Sequence, residues 1–183
     1  MGWDFSCLFR YPGPKAVEDR IRRLESMWPA EMEAAKQALL PHMKIFGSPS
    51  PWGRGTEPRQ RPNLPTMEVY LGTPHDFLLT FGEDAVHIHH TLRWNTFLTE
   101  PELQAPMLDA CSALMRELQG RDAVITRDES PILQAFYRGA TYDESISAGA
   151  AEPAVAKIDD MYRDTAEGGW DSTGYWRMPN SAP

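Results

Sequence analysis

The sequence predicts a single α+β domain spanning residues 1–183, with a mixed, mainly antiparallel sheet of about five strands packed against helices. Three observations predict it. Apolar residues alternate with period two in three successive segments between residues 66 and 94. An amphipathic helix with a proline in its first turn follows, and a short apolar strand closes the block at 122–127.

Side chains on a strand point to opposite faces in turn, so each alternating row defines a buried face. Trp3, Phe5, Cys7 and Phe9 form the first such row. Past Gly13-Pro14, the residues Val17, Ile21, Leu24 and Trp28 recur at helical spacing until Pro29, which removes a backbone donor and crowds the preceding turn. A second helical piece carries Met32, Ala35 and Leu39 inward and ends near Pro41, and residues 43–46 read as a short strand.

Residues 47–65 are different. They hold five prolines, three glycines and three arginines (Arg54, Arg59 and Arg61), which predicts a long polar loop, either unstructured or a basic arm with Trp52 as its anchor.

The central block begins with Met67, Val69 and Leu71, turns at Gly72-Thr73-Pro74, and continues with Phe77, Leu79 and Phe81. After Gly82-Glu83-Asp84 a third row runs through Val86, Ile88, His90, Leu92 and Trp94. Matching apolar faces pairs Phe81 with Val86 and Leu79 with Ile88, because a slip of one residue would invert every side chain. His87, His89, Thr91 and Arg93 then share the more polar face.

Thr99, Pro101 and Glu102 together signal a helix start, and Leu103, Met107, Cys111, Leu114 and Leu118 form its apolar stripe. Gly120 occupies the place of a C-terminal glycine with positive φ, and Ala123-Val124-Ile125 form the next strand. Ser130 caps a short helix beginning at Pro131 and ending at Gly139, and 143–147 adds a turn. Pro153 opens a last helix with Val155, Ile158 and Tyr162 on one face, so the part at 141–183 is read as acidic and helical. The tail from Gly168 to Trp176 is rich in large aromatics, which predicts that it docks on its own domain or on a partner.

Composition excludes several classes. With 42% hydrophobic and 24% charged residues the chain is ordinary for a globular domain, and a net charge of −8 with pI about 5.1 argues against nucleic-acid binding. The absence of an apolar run of about 20 residues argues against a membrane span. The start lacks the pattern of a secretory signal, and the two cysteines, Cys7 and Cys111, read as small buried hydrophobes, so the expected compartment is the cytoplasm.

Two candidate sites emerge. His87 and His89 lie on one strand face at a spacing compatible with metal binding, with His75 and Asp76 in the adjacent turn as further ligands. A cupin-type barrel would add a glutamate a few residues later, but the next one here is Glu100, at a helix start. His90 faces the core and reads as structural. Asp128-Glu129 lies between a strand and a helix, where paired carboxylates can bind a cation, although their simplest role is to favour the helix start.

The second candidate is charge. Residues 141–171 hold eight acids against two bases, net −6, whereas residues 1–62 hold ten bases against seven acids, net +3. Asp143, Glu144, Asp159, Asp160 and Asp164 with Trp170 and Trp176 have the composition of a surface for a basic protein partner. No glycine-rich phosphate loop or nucleophile motif is present. The leading expectation is therefore a cytoplasmic protein-binding protein without a cofactor, of the immunity or inhibitor kind, neutralising a basic toxin or nuclease. The alternative is a metal-dependent enzyme or small-molecule-binding domain centred on His87 and His89.

Overall fold

The row Phe5, Cys7, Phe9 becomes the centre of the sheet. A computed structural model of the chain describes residues 3–12, 30–43, 59–60, 67–71, 77–164 and 170–179. In chain order the elements are β1 (Asp4–Arg10), α1 (Ala30–Met43), β2 (Arg59–Gln60), β3 (Met67–Leu71), β4 (Phe77–Phe81), β5 (Ala85–Arg93), α2 (Trp94–Thr99) and α3 (Pro101–Glu117). They continue as β6 (Arg121–Arg127), α4 (Pro131–Tyr137), α5 (Tyr142–Ala148), β7 (Ala154–Val155), β8 (Tyr162–Asp164), β9 (Trp170–Ser172) and β10 (Tyr175–Arg177). The expected helix at 14–28, the rest of the 43–46 strand and most of the 47–65 loop lie outside the described residues; Arg59 and Gln60 pair with β3 as an edge strand.

The sheet runs β2-β3-β4-β5-β1-β6-β10-β7, six principal strands with two-residue strands at both edges. β1 pairs antiparallel with β5 on one side and β6 on the other, so β5 and β6 run parallel to each other. The meander has the register expected from matching faces, with Phe81 opposite Val86 and Leu79 opposite Ile88.

One face of the sheet carries Phe5, Cys7, Phe9, Phe77, Leu79, Phe81, Val86, Ile88 and Ile125, and packs with Met32 and Ala35 of α1 and the full apolar stripe of α3. The opposite face presents Leu8, Ala85, Val124 and Tyr175 to Ile132, Leu133 and Phe136 of α4 and Tyr142 of α5. Cys7 and Cys111 are both buried free thiols whose side chains contact each other, and that contact with burial pushes the Cys7 thiol up. No helix among the described residues is long and apolar enough to cross a membrane.

Four expectations are corrected. Trp94 does not continue β5 but opens α2. There its fully buried indole stacks on Phe97, with centroids 5.5 Å apart, and donates to Ser172 Oγ at 2.6 Å. A continued strand would send the backbone on past both partners.

In consequence Thr99 ends α2 rather than capping α3, and its hydroxyl donates to the Asn95 carbonyl; α3 starts at Pro101 without a side-chain cap. The expected helix at Pro153 is also replaced. Ala154–Val155 pairs parallel with β10, the Pro153 carbonyl accepts from the Tyr175 amide at 3.2 Å, and Ile158–Met161 forms a single 3-10 turn before β8. Sheet-edge bonds to the docked tail outweigh the local helical pattern, and beyond Ala151 the described residues form short strands and one 3-10 turn instead of a helix. The expected docking of the tail on its own domain is what creates that edge.

The fourth correction concerns Gly120. The positive φ belongs to Gln119, at 54°, whose amide bonds to the Arg116 carbonyl while the Gly120 amide bonds to the Met115 carbonyl at 2.7 Å. This is a Schellman ending with glutamine in the left-handed position. Gly120 is required by proximity instead: a Cβ there would sit 2.3 Å from Phe9 Cδ2 and 2.9 Å from Met115 Cγ.

The two positions should therefore respond in opposite directions. Gly120→Ala is expected to lose about 1–3 kcal/mol through overpacking against Phe9, and Gln119→Gly to gain about 0.5–1 kcal/mol by relieving left-handed strain. Urea unfolding of both variants checks this pair of signs.

Candidate functional site

Pairing of β1 with its neighbours assembles a polar strip on the α4 side of the sheet. His87 lies opposite Thr80 on β4 and Leu8 on β1, while His89 lies opposite Leu78 and Ser6. Ser6 in turn lies opposite Thr126 on β6. Directly opposed side chains have Cβ atoms about 4.5–5.5 Å apart, so His89, Ser6 and Thr126 form one cross-strand row and Thr80 and His87 the start of the next.

The row ends at two carboxylates that the strand termini bring together. The Asp4 amide donates to Asp128 Oδ1 at 3.1 Å, and the Asp128 amide returns a bond to the Asp4 carbonyl at 3.1 Å. A register shift between Asp4 and Phe5 accompanies this exchange. Asp4 Oδ1 accepts from Arg93 Nη1 at 2.8 Å, and its Oδ2 lies 3.7 Å from His89 Nε2. Ligand atoms of Asp4, His89 and Asp128 all lie within 4.8 Å of one another, and each residue is half-buried. Burial pushes the Asp128 carboxyl up, a tendency the Asp4 amide opposes and the Asp4 charge reinforces.

His87 shares the face, as expected, but not this cluster. It is fully buried beneath α4, with Nδ1 bonded to the Tyr137 hydroxyl at 2.8 Å and its ring edge-on to Phe136. Burial, then the neighbouring His89, holds its pKa well below the ordinary value, so the ring is neutral. Among the described residues its Nε2 has no hydrogen-bond partner, and the same holds for the buried hydroxyls of Ser6, Thr80 and Thr126. His90 projects to the other face, packs against Phe77 and accepts the Leu92 amide at 2.8 Å. Burial lowers it to about 3. His75 and Asp76 lie outside the described residues.

The acidic candidates separate into two groups. Asp143 and Glu144 sit on α5, against the α4 side of the sheet, and both have intramolecular work. Asp143 pairs with Arg10, which stacks over Tyr142 with its guanidinium 4.8 Å from the ring centre. Glu144 completes a capping box with Thr141, and the Thr141 amide and hydroxyl hold its carboxyl below the usual range.

Asp159 and Asp160 are exposed on the 3-10 turn whose Ile158 and Met161 enter the α3-side core. That turn leads directly into β8, where Asp164 pairs with Trp170 and Arg163 with Asp171 across the β8–β9 hairpin. Trp176, on β10 beside this turn, is half-buried against the α3-side core.

Asp4 is the site residue that sequence reasoning misses, and Asp128 is the one it sets aside as helix dressing. Neither has a local signal, because the two meet only after β1 has paired with both β5 and β6.

The buried histidines set a pH response. Both are neutral in the fold and titrate near 6.5 when unfolded, so the unfolded chain binds more protons below that value and stability falls as pH drops. Stability should be flat above about 6.5 and fall by about 1.4 kcal/mol per pH unit for each histidine below it, a decline that for His90 continues to about 3. Chemical denaturation between pH 5 and 8 should show this slope, reduced by one proton in His90→Asn.

Comparison of the chain with protein-family models, with curated proteins and with solved structures finds no match, so the functional reading rests on the geometry of these two surfaces.

Proposed function

We propose that this chain is a cytoplasmic protein-binding protein of the immunity or inhibitor kind, and that its acidic C-terminal part neutralises a basic toxin or nuclease. The observation that carries this reading is the continuity of the Ile158–Met161 turn with the β8–β9 hairpin, which gathers Asp159, Asp160, Asp164, Trp170 and Asp171 into one region. Asp159, Asp160 and Asp171 are exposed there. Acids concentrated in this way steer a basic partner and raise its association rate, while apolar contacts supply affinity. Trp176 has the half-buried position of an anchoring aromatic. Asp143 and Glu144 stand apart from this surface and contribute to the long-range field.

A second reading, a metal-dependent enzyme or small-molecule-binding domain centred on His87 and His89, is favoured by the unpaired hydroxyls and imidazole nitrogen of the polar strip.

The protein-binding reading is tested by affinity capture from the native cell at low and moderate salt, followed by titration of the recovered partner. The expected result is one basic protein in stoichiometric amount, bound at least tenfold more weakly by an Asp159→Lys/Asp160→Lys variant that circular dichroism shows to be folded at the assay temperature, since Asp160 also accepts the Lys157 amide at 3.1 Å. Affinity and salt dependence that survive the charge reversal overturn the reading.

A further inference from the structure

We propose that Asp4, His89 and Asp128 bind one divalent transition-metal ion of the manganese or zinc kind on the polar strip. This inference does not depend on the protein-binding reading, and it moves the metal alternative from the His87/His89 pair to a set in which His87 is not a ligand.

The donor chemistry carries the choice of ion. One imidazole and two carboxylates form a mixed nitrogen and oxygen set, which suits manganese and zinc better than the all-oxygen preference of calcium or magnesium. Asp4 Oδ2 and His89 Nε2 are 3.7 Å apart, too far for a hydrogen bond; an ion at about 2.1 Å from each would see them about 120° apart. The two carboxylates are held side by side by reciprocal backbone bonds, and Arg93 neutralises Asp4 from its other oxygen. A divalent ion among them would offset the remaining repulsion. Three protein ligands leave further coordination positions for water or a small ligand.

The hydroxyls are an independent observation pointing the same way. Ser6 and Thr126 are 0% exposed, and among the described residues neither Oγ nor Oγ1 has a hydrogen-bond partner. Leaving such a group unsatisfied costs about 1–3 kcal/mol. They stand in the cross-strand row of His89, on the face that carries the cluster. Ion-bound water would give both a partner. In this arrangement Ser6 and Thr126 orient the ion's outer ligands, and Tyr137 with His87 closes the strip on the α4 side.

The test uses the full chain, stripped with chelator and titrated separately with manganese and zinc salts by calorimetry. The expected result is one equivalent of at least one of them, with a rise in melting temperature. Asp128→Asn and His89→Ala should each weaken binding on the order of a hundredfold, while Asp109→Asn, at an exposed position of α3, should leave it unchanged. Line broadening by bound manganese, or shift changes with zinc, should centre on the amides of Asp4, His89 and Asp128 in the unmodified protein, a readout that stands even if a variant misfolds. Binding of neither ion, binding undiminished in both ligand variants, or perturbed signals centred elsewhere overturns the proposal.

Discussion

Hydrogen bonding on both edges of β1 is the constraint from which the rest of the structure follows. A strand fixed by β5 and β6 together has no freedom of register, since one residue of slip would move Phe5, Cys7 and Phe9 out of the α3-side core and bring polar side chains into it. The same fixation forces β5 and β6 to run parallel, and that is why α2 and α3 must carry the chain across the sheet between them. The crossing helix then supplies the apolar stripe that covers the face β1 defines. Core and topology are thus two consequences of one set of ladder bonds.

Those bonds also place polar groups where a core would ordinarily be apolar. Leu8 and Val124 satisfy the pattern on the α4 side, yet the next row is His89, Ser6 and Thr126. Nothing in the demands of packing calls for three polar side chains in a row across the strands of one sheet face. Valine in place of threonine, or alanine in place of serine, would fill similar space without an unpaired hydroxyl. The strip therefore opposes stability locally, as sites that bind something commonly do. Arg127 is fixed close by, over the Trp3 ring at 4.1 Å and bonded to the Ser172 carbonyl and Glu152, so the tail is anchored at this same end of the sheet.

Local patterns in the sequence carried the meander, its register, the α3 stripe and the Ser130 cap, because each depends on residues within a few positions of one another. They did not carry the end of β5, where Trp94 turns into a helix to reach Ser172, a residue 78 positions away. The Pro153 segment misled for the same reason: its apolar spacing is helical, but its bonding partner is the tail. The candidate site divides along this line as well. His87 and His89 were legible as a pair on one face, whereas their unequal burial depends on α4 lying over His87 alone, and Asp4 reaches His89 only through long-range strand pairing.

Charge shows how far a sequence count departs from a surface. Net −6 over residues 141–171 suggests one uniform acidic patch, but Asp143 pairs with Arg10, and Asp84 and Asp122 also face that same guanidinium. Arg10 thus lies in an acidic surround on the α5 side, a group that holds the end of β1 rather than presenting charge to a partner. The acids left facing solvent on the turn and hairpin are fewer, closer together and set beside Trp176. An electrostatic surface is defined by which charges remain unpaired and near one another, so the effective acidic region is smaller than the sequence suggests and lies opposite the face on which the polar strip sits. The two surfaces share one sheet and its central strand, and each can be altered without unpairing the other.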